Sequence, residues 1–419
     1  MTDPTSFPKD RIRVVLCENI HERACELFAR ERFQVETLDH APGADELAAI
    51  IAEAHVVGIR SKTRLEPGVF SHAKRLLAAG CFCIGTNQVD LDAAAETGTP
   101  VFNAPFSNTR SVAELTIAET IALLRRLFPR SMALHAGRWQ KSASGSHEVR
   151  NRTLGIVGYG HIGTQVSILA EALGMRVIYF DIEPKLPLGN ARAMDSLDAL
   201  LAEADVVTLH VPATGATENL IGASELAKMK PGSFLINNAR GSVVDIAALA
   251  AALRTEHLAG GAVDVFPVEP ASKTEPFESE LRTLDNVILS PHIGGSTVEA
   301  QASIAEEVAT KIIRFINIGS TTGAVNVPRV ELPAQPKREG VGPDAPRPHR
   351  ILHFHRNVPG VLSNLHAAIS ELGINVTSEY LQTDPRLGYV VLDVSPSDAG
   401  ELLKRIRSMP ETIRTRVLW

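Results

Sequence analysis

Short apolar segments alternate with segments of helical spacing along the first 110 residues of the chain. The apolar runs predict strands at 13–17, 34–38, 55–59, 76–81 and 101–103. Between them, apolar positions recur every three or four residues, as at 21–30 and 46–53, which predicts helices. Strands that alternate with helices favour a mainly parallel sheet with both faces covered.

A second series of the same kind begins at Leu154, with strands predicted at 154–157, 175–180, 205–210, 233–237, 261–265 and 286–290. Long helices are predicted on either side of it, at 111–127 and 297–317. The apolar stripe of the second helix could return the chain to the first sheet. We therefore predict a discontinuous domain of residues 1–110 and 297–330, with domain 111–296 inserted. Two consecutive domains fit the pattern almost as well.

The periodicity stops near Pro328, where proline, glycine and charged residues predict a linker at 331–348. Residues 349–419 then follow a strand–helix–strand–strand–helix–strand pattern, which is the ferredoxin-like arrangement. This segment contains no cluster of catalytic residue types. A small module of this kind is typical of a ligand sensor or an oligomerisation unit.

Length and composition fit a protein of two or three domains, since the chain has 419 residues. The net charge of −6 gives no indication of a nucleic-acid or membrane partner. No apolar run approaches the roughly 20 residues that span a bilayer, and no secretory signal is visible, so we expect a cytoplasmic protein. The four cysteines, at 17, 25, 81 and 83, are predicted to be buried free thiols, and no metal site is expected.

A glycine-rich turn follows the strand at 154–157, with Gly158, Gly160 and Gly163 in the spacing GxGxxG. Glycines often mark turns, but here a strand precedes them, a helix follows them, and Asp181 ends the next predicted strand. This combination is typical of a dinucleotide site, in which the helix N-terminus faces the pyrophosphate. The Asp181 carboxylate would accept hydrogen bonds from the ribose hydroxyls and repel a 2′-phosphate, which favours NAD over NADP.

Three residues suited to hydride-transfer chemistry follow strands of the second series, at the edge of the sheet where ligands bind. Arg240 supplies a bidentate donor for a carboxylate or carbonyl, and His292 exchanges protons near neutral pH. Glu269, in contact with the second ring nitrogen of His292, would favour imidazolium. Taken singly, surface ion pairs for Arg240 and Glu269 and a capping or core role for His292 explain these residues equally well.

Several motifs resemble those of the D-isomer-specific 2-hydroxyacid dehydrogenases over nearly the whole chain. They are the sequences CFCIGTNQVD at 81–90, FNAPFSNTRSVAE at 102–114, the GYGHIG turn and the three catalytic segments. The C-terminal module resembles an ACT domain. The resemblance implies an α/β fold of two doubly wound, Rossmann-like parallel-sheet domains, with the NAD domain inserted in the substrate domain and a C-terminal ferredoxin-like βαββαβ ACT domain.

The resemblance also implies roles for individual residues. The catalytic residues would be Arg240, Glu269 and His292. NAD would be bound by the glycine turn with His161, Ile162 and Asp181, and on the nicotinamide side by Asn238, Ala239, Arg240, Asp264, His292, Ile293, Gly294 and Gly295. The substrate would be bound by Arg60, Ser61, Asn108 and Arg240, and by Trp139 and Lys141 in a segment that reaches an adjacent subunit in relatives.

One position departs from the pattern, because some relatives carry lysine near the turn after the second strand, where this chain has Asp39 and His40. Part of the anion-binding set would then be missing or replaced. In the ACT module, the residues that match a serine-binding site are His355, Asn357 and Asn375. Asparagine is also common in turns, which is the alternative explanation for Asn357 and Asn375.

The activity that the resemblance implies is NAD-dependent oxidation of 3-phosphoglycerate to 3-phosphohydroxypyruvate, the first step of L-serine biosynthesis, with feedback inhibition by L-serine. A 2-oxoglutarate reductase side activity and a homotetramer are also expected. Two alternatives remain: a dehydrogenase for glyoxylate or hydroxypyruvate, and a non-enzymatic NAD-sensing protein.

Overall fold

The computed structural model describes residues 7–270, 274–333, 348–395 and 399–418. Contacts divide the chain into a first unit, residues 1–107 and 301–419, and a second unit, residues 108–300. Within the described ranges, no helix is long and apolar enough to cross a membrane.

The first part of the chain forms a five-stranded parallel sheet. Its elements are β1 (Arg13–Leu16), α1 (Glu22–Arg30), β2 (Gln34–Thr37), α2 (Ala44–Glu53), β3 (Val56–Ile59), α3 (Pro67–Phe70), β4 (Ala78–Cys81), α4 (Leu91–Glu96) and β5 (Val101–Asn103). The strand order is β2-β1-β3-β4-β5. Val14 and Val15 are both fully buried in different clusters, because successive side chains of a strand covered on both faces enter opposite cores.

The second unit contains a seven-stranded parallel sheet. Its elements are α5 (Thr109–Arg125), α6 (Leu127–His135), β6 (Thr153–Val157), α7 (His161–Ala172), β7 (Arg176–Phe180), β8 (Arg192–Ala193), α8 (Leu197–Glu203), β9 (Val206–Leu209), α9 (Ala223–Lys228), β10 (Ser233–Asn237), α10 (Ile246–Arg254), β11 (Leu258–Val263) and β12 (Val287–Leu289). The strand order is β12-β11-β10-β9-β6-β7-β8. The order reverses between β6 and β9, so the segments after these strands diverge and open a crevice for a ligand.

The helix predicted at 111–127 differs from the structure at its end. The chain leaves helical geometry at Arg126, whose φ of 50° is left-handed, and α6 starts at the next residue. Pro129 explains the break, because its ring would clash with the carbonyl of Arg125 in a continuous helix. In the first turn of α6 its missing N–H has no consequence.

The last part of the chain comprises α11 (Val298–Ile318), β13 (His349–Arg356), α12 (Val361–Glu371), β14 (Val376–Thr383), β15 (Leu387–Val394), α13 (Ala399–Arg407) and β16 (Thr412–Leu418). The apolar stripe of α11, with Ile304, Val308, Ile312 and Phe315, is buried in the core of the first sheet. The chain thus leaves the first sheet and returns to it.

The C-terminal strands form an antiparallel sheet in the order β14-β15-β13-β16, which is the ferredoxin-like order. One face packs on the module's own helices, with Ile351 and Leu365 in that cluster. Phe354 and Tyr389, on the other face, share a cluster with Phe315 of α11. The predicted fold class is confirmed, although 334–347 of the predicted linker lie outside the described residues.

None of the four cysteines is in a disulfide. Cys17 and Cys81 are buried, as predicted, whereas Cys25 and Cys83 are only half-buried. Burial and nearby carboxylates raise the pKa of the Cys17 thiol to about 12, so this thiol stays protonated and unreactive.

Candidate active site

The glycine-rich turn between β6 and α7 leaves space at one of its three glycines. Gly158 has φ of +92°, and a Cβ there would collide with the carbonyl oxygen of His210. A Cβ on Gly163 would overlap the carbonyl oxygen of Gly158, so this glycine brings the helix onto the strand. A Cβ on Gly160, by contrast, would meet no atom within 4 Å. The turn therefore has the open backbone surface beside a helix N-terminus that a pyrophosphate requires.

Asp181 follows β7 and holds the same turn in place. Its Oδ2 accepts a hydrogen bond of 2.7 Å from the backbone N–H of Tyr159, and its Oδ1 accepts one of 3.0 Å from that of Glu183. Each carboxylate oxygen has a second lone pair for a ribose hydroxyl. The side chain thus both shapes the turn and has the capacity to bind a ribose.

His292 and Glu269 lie in contact in the segments that follow β12 and β11. The Nδ1 atom of His292 is 2.9 Å from Oε2 and 3.0 Å from Oε1 of Glu269. The hydrogen bond to Glu269 raises the pKa of His292, although burial opposes it. Burial raises the pKa of Glu269, but the contact with His292 and the N–H of Phe266 outweigh it and hold that pKa below its usual value. The pair fixes the tautomer, so that Nε2 is the atom left to exchange a proton.

The backbone around His292 is unusual and is held by Asp264. His292 has φ of 55°, a left-handed conformation that few non-glycine residues adopt. The buried Asp264 carboxylate accepts hydrogen bonds from the N–H groups of Ile293 (2.8 Å) and Gly294 (2.7 Å) and from Oγ of Ser290 (2.6 Å). Asp264 therefore anchors the segment that presents the imidazole.

Arg240 follows β10 on a segment that packs tightly against the Glu269 segment. Its Nη1 donates to the carbonyl of Ala239 at 2.7 Å, and its own carbonyl accepts from the Asn237 side chain. A Cβ on Gly241 would overlap the backbone of Phe266, so only glycine permits this approach. Arg240 forms no salt bridge among the described residues, which leaves its guanidinium charge available for a substrate anion.

A buried carboxyl group that sequence reasoning missed lies beside Asn238. Glu119 of α5 is only 3% exposed, and its Oε2 accepts a 2.7 Å hydrogen bond from Asn238 Nδ2. Burial raises the pKa of Glu119 to about 7, while Asn238 opposes this shift and Asp264 adds to it. The sequence signal that was overlooked is a glutamate within the mostly apolar segment 117–124.

The proposed substrate residues lie in both units. Arg60 and Ser61 follow β3 in the first unit. In the second unit, Asn108 is 8% exposed and packs so closely on Gly295 that a Cβ there would overlap its side-chain amide. Trp139 is 78% exposed, and Lys141 is also exposed. No group of three or more His, Cys, Asp or Glu side chains in the described ranges could hold a metal ion.

The three candidate effector residues in the C-terminal sheet have different environments. Asn357 is exposed, and its Nδ2 donates to the carbonyl of Asp384 at 2.6 Å. Asn375 is also exposed. His355 is 2% exposed and packs where a side chain on Gly388 would otherwise lie.

Comparison with known families defines the class of the protein first. Residues 117–294 match the family model described as D-isomer specific 2-hydroxyacid dehydrogenase, NAD binding domain. Residues 351–414 match the AHAS small subunit-like ACT domain. The glycine turn and the His292 segment both fall within the first match, so the structural site coincides with the dinucleotide-binding part of this family.

Individual relatives extend this likeness to the whole chain. D-3-phosphoglycerate dehydrogenase of Haemophilus influenzae is 51% identical over 420 residues and covers 100% of both chains. D-3-phosphoglycerate dehydrogenase of Dictyostelium discoideum is 49% identical, again over 100% of both chains. The solved structure of D-lactate dehydrogenase with NAD+ from Lactobacillus jensenii has a TM-score of 0.66 and 26% identity over 75% of this chain and 99% of that chain.

The chain belongs to the D-isomer-specific 2-hydroxyacid dehydrogenases. It is an NAD-dependent oxidoreductase with a C-terminal ACT domain. The predictions of family, enzyme class and cofactor are therefore confirmed, whereas the roles of the individual site residues stay predictions.

Proposed function

We propose that the protein oxidises 3-phosphoglycerate to 3-phosphohydroxypyruvate with NAD, as the first step of L-serine biosynthesis. Relatives named D-3-phosphoglycerate dehydrogenase match the full length at about half of all positions. The observation that carries the proposal within the site is the contact between His292 Nδ1 and Glu269, at 2.9 Å. In this pair, the His292 imidazole would accept the proton of the substrate hydroxyl, and the Glu269 carboxylate would stabilise the positive charge that the imidazole gains.

Each residue has a defined task in this reaction. Nε2 of neutral His292 accepts the proton of the C2 hydroxyl, and Glu269 stabilises the resulting imidazolium. Arg240 binds the substrate carboxylate and orients the C2 oxygen. NAD, when bound, would supply the acceptor for the hydride of C2.

Cofactor binding is proposed for the residues around the open face of the glycine turn. Gly160, His161 and Ile162 would face the pyrophosphate, and Asp181 the ribose. Asn238, Asp264 and the 292–295 segment would line the nicotinamide side. Asp264 would act there by holding the N–H groups of Ile293 and Gly294, since its carboxylate already accepts from both.

Substrate binding needs cations, because 3-phosphoglycerate carries a carboxylate and a phosphate. Arg240 would bind one anionic group, and the segment that carries Arg60 and Ser61 another. Lys141 and Trp139 are exposed, which supports the proposal that they reach the site of a neighbouring subunit.

Assembly into a homotetramer is proposed from the exposed apolar surface of α6 and the segment after it. Leu127, Phe128, Met132 and Leu134 are each 49–65% exposed, and Trp139 is more so. Large apolar side chains grouped in this way are typical of an interface between subunits.

L-serine is proposed as an inhibitor that binds to the C-terminal sheet. The exposed side chains of Asn357 and Asn375 would donate hydrogen bonds to it. His355 is buried and would pack against the site.

The direct test is NADH formation from 3-phosphoglycerate, with glycerate and lactate as unphosphorylated comparisons and serine titrated in. Turnover of 3-phosphoglycerate that exceeds that of the comparisons supports the proposal. Faster turnover of glycerate would assign the enzyme to another substrate, and unchanged rates at millimolar serine would refute the effector. Light scattering of the same sample measures the assembly state.

A further inference from the structure

The segment after β3 is a short basic loop, which we call the Arg60 loop (residues 60–64). Arg60, Lys62 and Arg64 are cations within five residues, and none of them forms a salt bridge among the described residues. Unpaired cations so close together repel one another. Contacts that hold the backbone of the loop would oppose this repulsion without neutralising the side chains.

Glu18, which follows β1, supplies such contacts from one side. Its Oε1 accepts the N–H groups of Arg60 (3.0 Å) and Thr63 (2.8 Å), and its Oε2 accepts that of Lys62 (3.0 Å). Burial raises the pKa of Glu18, but these donors outweigh burial and hold that pKa below its ordinary value. The buried carboxylate is thus ionised and compensated by backbone N–H groups rather than by the Arg60 guanidinium.

Gln88 provides a second set of contacts to the loop. Its side-chain Nε2 donates to the backbone carbonyl of Arg60 at 2.8 Å, and its backbone carbonyl accepts from the N–H of Leu65 at 2.8 Å. Like Glu18 it is 8% exposed. In the described part of the chain, the N–H of Ser61 has no acceptor and the Arg60 guanidinium forms no salt bridge. Its Nη1 makes one long contact, at 3.5 Å, with the backbone carbonyl of Glu18.

The backbone at Glu18 adopts a strained conformation that aims its side chain. Glu18 has φ of 62° and Asn19 has φ of 52°, two consecutive left-handed residues that are not glycine. This conformation is unfavourable for residues other than glycine and persists only where surrounding contacts hold it. The N–H of Glu18 donates to the carbonyl of His40, so this turn also joins the segment that follows β2.

We propose that Glu18 and Gln88 are positioning residues that hold the Arg60 loop so that the Ser61 N–H and the Arg60 guanidinium bind an anionic group of the substrate. The inference rests on the proposed function. The Glu18 carboxylate accepts hydrogen bonds from three N–H groups of the loop. The Ser61 N–H and the Arg60 guanidinium are then left for the substrate.

Glu18→Gln tests the proposal, because it keeps one acceptor but places an NH2 group against a backbone donor. We expect KM for 3-phosphoglycerate to rise about tenfold to hundredfold, as for loss of a charged hydrogen bond. Turnover at saturating substrate should change less than about threefold, and the Kd of NAD should not change. Gln88→Met, which removes the second contact at similar size, should raise KM in the same direction and serves if Glu18→Gln does not fold.

Glu53→Gln is the matched control, since Glu53 is an exposed carboxylate of the same unit that pairs with Arg75. It should leave KM unchanged. Inhibition of the wild type and of Glu18→Gln by inorganic phosphate and by D-glycerate identifies the anion that the loop binds. If Ki for phosphate is higher in Glu18→Gln than in the wild type, the loop binds the phosphate group of the substrate. If Ki for D-glycerate is higher in the variant, the loop binds the carboxylate.

An unchanged KM in folded Glu18→Gln, or a fall in kcat with no change in KM, would overturn the inference and leave the proposed function intact. A wild-type enzyme without activity on 3-phosphoglycerate would overturn both.

Discussion

At the scale of single residues, the proposed mechanism predicts that the pair of His292 and Glu269 determines how the rate depends on pH. Alcohol oxidation needs neutral imidazole, so the rate falls as pH drops through the pKa of His292. Glu269 raises that pKa. Glu269→Gln should therefore move the acid limb of the kcat profile to lower pH and also reduce kcat, because the imidazolium loses its partner.

His292→Asn should lower kcat by roughly 10²–10⁴-fold, the usual contribution of a general base, with little change in NAD affinity. Stopped-flow or steady-state NADH formation across pH 5–9 measures both variants. An acid limb that stays in place in Glu269→Gln would show that another group accepts the proton.

Glu119 gives the folded state a different pH dependence. Its pKa lies at about 7 in the folded protein and near 4.5 when exposed. A pKa raised by folding means stability that is present below pH 4.5 and lost as pH rises through 7. Glu119→Gln removes this loss. The free energy of unfolding of the variant, relative to that of the wild type, should therefore be up to about 3 kcal/mol more favourable at pH 8 than at pH 4.5.

Denaturant unfolding at the two pH values measures the difference, with Glu114→Gln as control because Glu114 is exposed on the same helix. Parallel pH dependence in wild type and Glu119→Gln would mean that the carboxyl is ionised when buried.

At the scale of elements, two glycines of the turn from β6 to α7 should affect different properties, Gly160 the binding of NAD and Gly163 the stability of the fold. A side chain on Gly160 meets empty space, whereas one on Gly163 overlaps backbone. Gly160→Ala should therefore leave the unfolding midpoint nearly unchanged but weaken NAD about tenfold or more, because the methyl group occupies the path of the pyrophosphate.

Gly163→Ala is the contrasting variant and should destabilise the second unit by about 1–3 kcal/mol. Calorimetric NAD titration and thermal melts distinguish the two effects. Unchanged NAD affinity in Gly160→Ala would exclude this turn as the pyrophosphate site.

Elements with a strong local pattern could be predicted from the sequence, and those set by distant contacts could not. The strands at 101–103 and 233–237 have the predicted bounds because their apolar runs end at polar residues. The break at Arg126 depends on Pro129 three residues later, a local signal that the apolar periodicity of the helix obscured. In the site, the types of Arg240, Glu269 and His292 indicated their chemistry. The roles of Glu18 and Glu119 depend on partners far away in sequence, which no local pattern reveals.

At the scale of the whole molecule, the C-terminal sheet is part of the first unit rather than a separate body. Arg350, fully buried, contacts both Asp393 oxygens, at 2.7 and 2.8 Å. It also donates to the carbonyls of Ile318 at the end of α11, of Leu332 and of Pro333. One guanidinium thus joins the sheet to the helix that crosses the core of the first sheet.

Arg350→Met should destabilise the first unit by about 3–5 kcal/mol, because it leaves the Asp393 carboxylate buried without a partner. Asp393→Asn should cost less, since Arg350 keeps its carbonyl acceptors. The double variant should be less destabilised than the sum of the two, because no charge is then stranded. If the shared core makes the unit cooperative, Arg350→Met should speed amide exchange in β1 and β3 as much as in β13 and β15. Faster exchange confined to the C-terminal strands would instead mean that the ACT domain unfolds on its own. The binding of an effector there would then not be coupled to the first sheet through a cooperative core.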